Sequence, residues 1–155
     1  MGLDMYLYKK TYVQNWSHFK EEEKHDITIY KGGKLRKDIK PERITYIIET
    51  VGYWRKFNAL HKWFVDNCQN GVDDCKEYYV SKEKLKELLV NLNKVNIEKA
   101  LGKELLPTES GFFFGDTEYS DYYYECVEDT ISMLTELLKE SDENSYSDFY
   151  YNSSW

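Results

Sequence analysis

Apolar and polar residues alternate at the start of the chain. Leu3, Met5 and Leu7 are apolar, whereas the residues between them are acidic or tyrosine. A period of two is typical of a strand that buries one face. We therefore predict a strand over residues 2–8 that runs on to about residue 13.

Four further segments have the pattern of strands. Gly32 and Gly33 tolerate the positive φ of a tight turn, so the residues on either side of them are predicted to form a hairpin. At 43–51 the alternation is blurred by Ile47, and a helix stays open there. The four segments are 27–37, 43–51, 76–80 and 111–115, the last being three phenylalanines between two glycines.

Three segments carry apolar residues at steps of three and four, the period of a helix with one buried face. The first covers 53–68 and is followed by Gly71, which suits the left-handed conformation that often ends a helix. The second covers 81–94, with Ser81 as its N-cap. The third covers 120–140.

These elements predict an α+β fold, in which a small antiparallel sheet packs against about three helices in a single domain. Helices and strands interleave irregularly, which argues against a doubly wound parallel sheet. The domain is predicted to cover residues 1–140. Residues 141–155 show no period and mix small polar, acidic and aromatic residues, so we predict a disordered tail.

Charge is distributed unevenly along the chain. Residues 104–155 hold thirteen acidic residues and one basic residue, Lys139, a charge of −12, which leaves +5 for residues 1–103 out of the total of −7. Either the two halves neutralise each other in the fold, or a basic pocket lies beside an acidic outer face. We exclude duplex DNA as a partner, because this chain is negatively charged overall. Ordinary DNA-binding proteins gain most of their affinity from cations that neutralise the phosphates.

The rest of the composition bears on localisation. No apolar run approaches the roughly 20 residues that span a bilayer, and the N-terminus lacks the apolar core of a signal peptide. The three cysteines, Cys68, Cys75 and Cys126, are too few for a disulfide framework. We therefore expect a soluble, cytoplasmic protein with no membrane partner.

The densest chemistry lies between Tyr53 and Phe64, where aromatic rings, cations, an amide and an imidazole fall within three helical turns. Rings stack on a planar base, a guanidinium binds phosphate oxygens in pairs, and an amide contacts a base edge. We predict a ligand site formed by Tyr53, Trp54, Arg55, Lys56, Asn58, His61 and Lys62. The alternative is a core helix whose cations pair with the acidic C-terminal helix.

A second candidate is the stretch from Thr108 to Tyr124, which begins as a glycine-bounded loop and continues with Asp116, Glu118, Tyr119 and Tyr122. Thr108, Ser110 and Tyr119 supply hydroxyl groups there, and the backbone N–H groups of such a loop can point at a ligand. We include these three residues in the predicted ligand site. The alternative is a tight turn followed by a helix cap.

Signatures of enzymes are mostly absent from the chain. It contains neither a phosphate-binding P-loop motif nor the glycine fingerprint of dinucleotide-binding folds. Its cysteine and histidine spacings do not fit a zinc site. We therefore predict no catalytic residue, no metal and no cofactor, and only His61 offers itself as a base.

Three motifs in the same order resemble a family of small bacteriophage and prophage proteins whose function is not established. They are MGLDMYLYKKTYV, VGYWRKFNALHKWFVDN with the following DDCKEYYVS, and LPTESGFFFGDTEY, and the resemblance covers residues 1–140. Some members carry a phosphoglycerate kinase label, which the short length and missing nucleotide motifs of this chain do not support. The family implies a phage accessory protein in an infected bacterial cell, and it supplies no catalytic residue.

Two hypotheses follow from the resemblance and the residues together. The first is a sponge, a binding protein that sequesters a small anionic, nucleotide-like signalling molecule of bacterial immunity. The second is an inhibitor whose acidic C-terminal face blocks a host defence protein or another nucleic-acid-binding enzyme. An enzyme that processes such a nucleotide is a third, weaker alternative, and association into a homo-oligomer stays open.

Overall fold

The computed structural model describes residues 2–140 and 146–155. Within these residues the chain forms six strands, four α-helices and three short 3-10 helices, which confirms the predicted single-domain α+β fold. The elements are β1 (Asp4–Tyr12), β2 (Tyr30–Lys31), β3 (Lys34–Leu35), β4 (Tyr46–Arg55), α1 (Asn58–Cys68), β5 (Tyr78–Val80), α2 (Lys82–Ile97), α3 (Gly102–Leu105), α4 (Asp121–Glu140) and β6 (Ser147–Ser154). No helix in the described residues is both long and apolar enough to cross a membrane.

The main sheet has four antiparallel strands in the order β4, β1, β6, β5. Strand β1 follows the predicted alternation, since Leu3, Met5 and Leu7 are fully buried. All three larger helices pack on this buried face. Their side chains form one core with the sheet, including Leu60 of α1, Leu88 of α2 and Leu134 of α4.

The other face of the sheet carries tyrosines and is not covered by these helices. The Tyr6 ring packs 5.3 Å from Tyr53 and 5.9 Å from Tyr8, measured between centroids. The Lys10 ammonium lies 4.3 Å from the centroid of Tyr150. Aromatic rings with a hydroxyl tip suit such a half-wet surface, because the ring packs and the hydroxyl stays hydrated.

The prediction of a disordered tail is wrong for residues 147–154, which form β6 between β1 and β5. Phe149 and Tyr151 of this strand are buried, while the alternate residues Asp148, Tyr150 and Asn152 face outward. The inward positions at both ends are serines, so the alternation lacks the aliphatic residues that usually reveal a strand. Residues 141–145, which the same prediction included, lie outside the described residues.

The prediction of a helix over 53–68 is wrong at its start. Tyr53, Trp54 and Arg55 belong to β4, where they pair with Tyr6, Met5 and Asp4 of β1. Lys56 then adopts a positive φ of 54° and turns the chain, and the helix begins at Asn58. Trp54 matched the helical spacing by coincidence, since its ring also points into the core from the strand.

The prediction of a buried strand over 111–115 is also wrong. The Phe114 amide donates to the carbonyl of Gly111 across a turn, and Phe112 at its tip is 94% exposed. The glycines therefore bracket a turn rather than a strand.

The hairpin around Gly32 and Gly33 is confirmed, although β2 and β3 form a separate two-stranded sheet. Both glycines have positive φ, as the turn requires. The predicted N-cap of α2 is also confirmed, because the Ser81 hydroxyl oxygen accepts from the Lys84 amide at 3.2 Å.

We expect Tyr151→Phe to destabilise the fold by about 1–3 kcal/mol, because it leaves His61 without its phenol partner inside the core. The stacking of the ring on Phe64 would be retained. The measurement is urea denaturation of both proteins. Tyr150→Phe, one residue earlier and on the outward face, is the control and should change stability by less than about 0.5 kcal/mol. Equal losses in the two variants would contradict a special role for the Tyr151 hydroxyl.

Candidate functional site

The predicted site residues do not lie on one helical face. Tyr53 and Arg55 lie on the outward face at the end of β4, whereas Trp54 is buried and its indole N–H donates to Thr130 at 2.8 Å. Lys62 is on α1 and pairs with Asp66 at 2.8 Å. The predicted group is thus divided between the sheet surface, the core and the exposed side of a helix.

Four of the predicted residues, Arg55, Lys56, Asn58 and Thr108, line one cleft of about 250 Å³. We call it the basic cleft. It lies where the end of β4 meets the first turn of α4. Its other lining residues are Phe57, Gly115, Asp116, Glu118, Ser120, Tyr122 and Tyr123.

A second cleft of about 410 Å³ adjoins the basic cleft and shares Arg55 and Tyr122 with it. We call it the tyrosine cleft, because Tyr53 and Tyr122 present half-exposed rings there. The Tyr122 hydroxyl donates to the Arg55 carbonyl, and burial raises the pKa of Tyr122 to about 12. The phenol therefore stays protonated at neutral pH and keeps this bond. Val51, Gly52, Trp54, Cys126, Asp129 and Met133 complete the lining.

Arg55 is held in place by the start of β1. Its Nη1 donates to Asp4 Oδ1 at 2.9 Å, and the Tyr53 hydroxyl donates to the same oxygen at 2.6 Å. The Tyr53 hydrogen bond, followed by the charge of Arg55, lowers the pKa of Asp4. Because that carboxylate is ionised at neutral pH, the guanidinium has a fixed partner on one side and keeps further N–H donors for a ligand.

Lys56 lines the basic cleft with a strained backbone. A positive φ is unfavourable for a residue with a side chain, and it persists only where the surroundings enforce it. Here the Lys56 amide donates to the Leu3 carbonyl at 2.8 Å. Gly115 packs against it so closely that a Cβ there would lie 3.2 Å from Lys56 Cβ.

Asn58 is buried and holds the loop over 108–116 against α1. Its Nδ2 donates to the carbonyls of Phe114 and Asp116 at 2.9 and 2.8 Å. Its Oδ1 accepts from the Glu109 amide at 2.9 Å. All these bonds go to the backbone, so the side chain positions the loop. Its amide is therefore occupied and does not offer the predicted contact to the edge of a ligand base.

The three predicted loop residues divide among different roles. The Thr108 hydroxyl donates to the Thr117 carbonyl at 2.9 Å, and the Thr108 amide donates to the Tyr119 hydroxyl at 3.2 Å. Tyr119 therefore supports the loop from inside. Ser110 lies in a third cleft, of about 380 Å³, which we call the phenylalanine cleft.

His61 is fully buried and lines none of these clefts. Its Nδ1 lies 2.6 Å from the Tyr151 hydroxyl, and its Nε2 lies 2.9 Å from Asp73 Oδ2. Burial raises the pKa of Tyr151 well above its ordinary value, so the phenol is protonated at neutral pH. The prediction of His61 as a ligand contact is therefore wrong, since a core hydrogen-bond network occupies both ring nitrogens.

Arg55 and Lys62 do not neutralise the acidic helix, because both pair with carboxylates outside α4. Within the described residues, no ion pair joins Glu125, Glu128 or Asp129 of α4 to a cation. These three side chains are exposed. Arg55 and Lys62 therefore do not supply the internal neutralisation of the first reading. The second reading stays a prediction, because Asp116 and Glu118 line the basic cleft together with Arg55 and Lys56.

Asp4 was missed as a contributor to the site, and Tyr122 was placed in the second candidate stretch without a connection to Arg55. Tyr122 is 67 residues from Arg55 in the chain, and it carries no motif that would connect the two. Asp4 reaches Arg55 only because β1 and β4 pair in one register, with Asp4 opposite Arg55. If residues 53–55 had been assigned to a strand, its pairing with β1 would have indicated the contact between Asp4 and Arg55.

The chain matches no protein-family model, no curated protein and no solved structure. The resemblance to small phage proteins therefore stays a prediction. Only the residues of the clefts indicate what they can bind.

We expect Asn58→Ala to destabilise the fold by about 1–3 kcal/mol, because one buried and two partly buried backbone groups lose their partner. Amide exchange at Glu109 should accelerate relative to amides in β1. The measurement is hydrogen exchange followed by mass spectrometry or NMR. Asn93→Ala is the control, since this exposed asparagine bonds only to the Leu89 carbonyl of its own helix. Unchanged exchange at Glu109 would show that the loop does not depend on Asn58.

Proposed function

We propose that the protein captures a small anionic, ring-containing ligand of nucleotide-like chemistry in the adjoining basic and tyrosine clefts. One observation carries the proposal: Arg55 and Tyr122 belong to both clefts, so a fixed guanidinium lies beside half-exposed tyrosine rings. Nucleotides combine the two features that such a pair recognises, a phosphate and a planar ring.

The phosphate end of the ligand would bind at Arg55 and Lys56. A guanidinium donates to two phosphate oxygens at once, and an ammonium adds a point charge. The first turn of α4 also begins at this cleft, and backbone N–H groups at a helix start favour an anion.

The ring end of the ligand would bind in the tyrosine cleft. Tyr53 and Tyr122 are 52% and 51% exposed, so each ring keeps exposed area for stacking while its hydroxyl stays hydrogen-bonded. Asp116 and Glu118 line the basic cleft, where carboxylates accept hydrogen bonds from ligand hydroxyl or amino groups. A simple inorganic anion would gain nothing from the tyrosine rings.

The biological role that fits this binding is sequestration. The resemblance to small phage proteins suggests an accessory protein in the cytoplasm of an infected bacterium, where a sponge for a signalling nucleotide of bacterial immunity would counter defence. A nucleotide-processing enzyme is less well supported, because the one predicted base, His61, is buried and reaches no cleft.

The ligand can be identified by incubating the protein with extracts of cells whose nucleotide-signalling defence is active, denaturing it, and analysing released molecules by mass spectrometry. For the released molecule we expect Arg55→Ala to weaken binding by about one to two decades, because a charge-assisted contact of about 1.5–3 kcal/mol is lost. Arg55→Lys should recover only part of the loss, since it keeps the charge without the planar fork. Calorimetry measures both variants.

Lys62→Ala is the matched control, because it removes one positive charge from α1 outside both clefts. It should bind as the unaltered protein does. Affinities that fall equally in Lys62→Ala and Arg55→Ala would indicate a general charge effect, and unchanged binding in both Arg55 variants would exclude these clefts.

A second candidate function rests on the acidic outer face of α4. Glu125, Glu128 and Asp129 project from adjacent turns and are not neutralised by cations of the described residues. Such a face could block a basic, nucleic-acid-binding host enzyme by occupying its phosphate-binding surface.

For this second candidate we expect the protein to displace a duplex oligonucleotide from a basic DNA-binding domain at low salt. Replacing Glu125, Glu128 and Asp129 by their amides should reduce the displacement, and added salt should weaken it further, because exposed charges are screened. The displacement is measured by the fluorescence anisotropy of the labelled oligonucleotide. Amide replacement of Glu21, Glu22 and Glu23 removes the same charge elsewhere, and an equal reduction there would show that only net charge matters.

A further inference from the structure

The phenylalanine cleft is built from aromatic rings and carboxylates that line neither the basic cleft nor the tyrosine cleft. Its described lining includes no cationic side chain. The lining residues are Asp73, Glu109, Ser110, Gly111, Phe112, Phe113, Phe114 and Trp155.

The rings of this cleft are arranged in two perpendicular pairs. Phe112 and Phe113 lie 4.7 Å apart at 86°, and Phe114 and Trp155 lie 6.2 Å apart at 74°. Perpendicular rings present faces in different directions, and the face of an aromatic ring attracts a cation.

Asp73 is fixed at this cleft by two hydrogen bonds. The Trp155 indole donates to its Oδ1 at 3.1 Å, and the buried His61 bonds its Oδ2 at 2.9 Å. Glu109 is positioned through its backbone amide by Asn58, which leaves its side chain at the cleft. Lys62 lies near enough to Glu109 to interact with its charge, but Lys62 pairs with Asp66 and does not line the cleft. The two lining carboxylates therefore give the cleft a net negative charge.

We infer that the phenylalanine cleft binds the cationic side chain of an arginine or lysine on a partner protein. Charge complementarity and the ring faces favour an organic cation over an anion. A protein is favoured over a small cation because Phe112 is 94% exposed at the tip of its turn. A free cation cannot cover that ring, whereas apolar residues that flank an arginine can. The inference does not depend on ligand capture in the other two clefts.

The test uses a short peptide with one arginine between leucines, its twin with citrulline in place of arginine, and arginine amide alone. The readout is the NMR signal of the Trp155 indole N–H, which reports directly on the cleft. We expect the arginine peptide to shift this signal and to bind more tightly than both other probes. Equal affinity of the citrulline twin would overturn the assignment of a cation site. Equal affinity of arginine amide would overturn the assignment to a protein partner.

Two variants locate the binding. Phe112→Ser and Glu109→Gln should each weaken the arginine peptide about two- to fivefold, the effect of one exposed cation–ring or ion contact. Both leave the fold intact, because Phe112 is exposed and the Glu109 backbone bond to Asn58 is retained. Glu42→Gln, which removes the same charge from an exposed carboxylate outside this cleft, is the control and should leave the affinity unchanged. A peptide that binds equally to Phe112→Ser, Glu109→Gln and the unaltered protein would overturn the inference.

Discussion

The insertion of β6 between β1 and β5 is the constraint on which the other elements depend. Strand β5 joins the main sheet through β6, so the sheet is incomplete without the last described segment. Tyr151 connects this strand to α1, because its ring stacks on Phe64 at 4.0 Å and its hydroxyl bonds His61. A buried hydrogen bond of this kind adds little net energy but is expensive to break, so it selects one position for the helix.

The position of α1 in turn determines the clefts. Asn58 in its first turn holds the loop over 108–116, and that loop lines both the basic cleft and the phenylalanine cleft. The backbone bond from Leu3 to the Phe113 carbonyl, 2.9 Å long, ties the same loop to the start of β1. Because loop, helix and sheet are connected through buried polar groups, the rings and charges of the clefts are ordered before any ligand binds, which lowers the entropy lost on binding.

Elements with strong periodicity could be predicted from the sequence, and the irregular ones could not. Strand β1 and helices α2 and α4 bury apolar residues at regular spacing, so each could be predicted from its own segment of sequence. In β6, serines occupy inward positions, so the apolar alternation of a strand is lost. In β4, Trp54 lies at helical spacing from the residues of α1, so the end of this strand was predicted as helix. For the candidate site, Arg55, Lys56 and Thr108 were predicted to contribute, and the structure brings them together in the basic cleft. The contact of Tyr122 with Arg55 could not be predicted, because it arises only from the packing of α4 beside β4.

Burial divides the predicted site residues into those that can serve a ligand and those that serve the fold. His61 and Asn58 make all their contacts inside the protein, and releasing them would leave buried polar groups unpaired. The Arg55 and Asp4 side chains are 48% and 25% exposed, and ion pairs so near the solvent contribute little to stability. Arg55 can therefore share its donors with an incoming phosphate at little cost to the fold. A positioned but weakly bound guanidinium is what a capture site requires, and this is why Arg55, rather than His61, is the residue on which ligand binding is expected to depend.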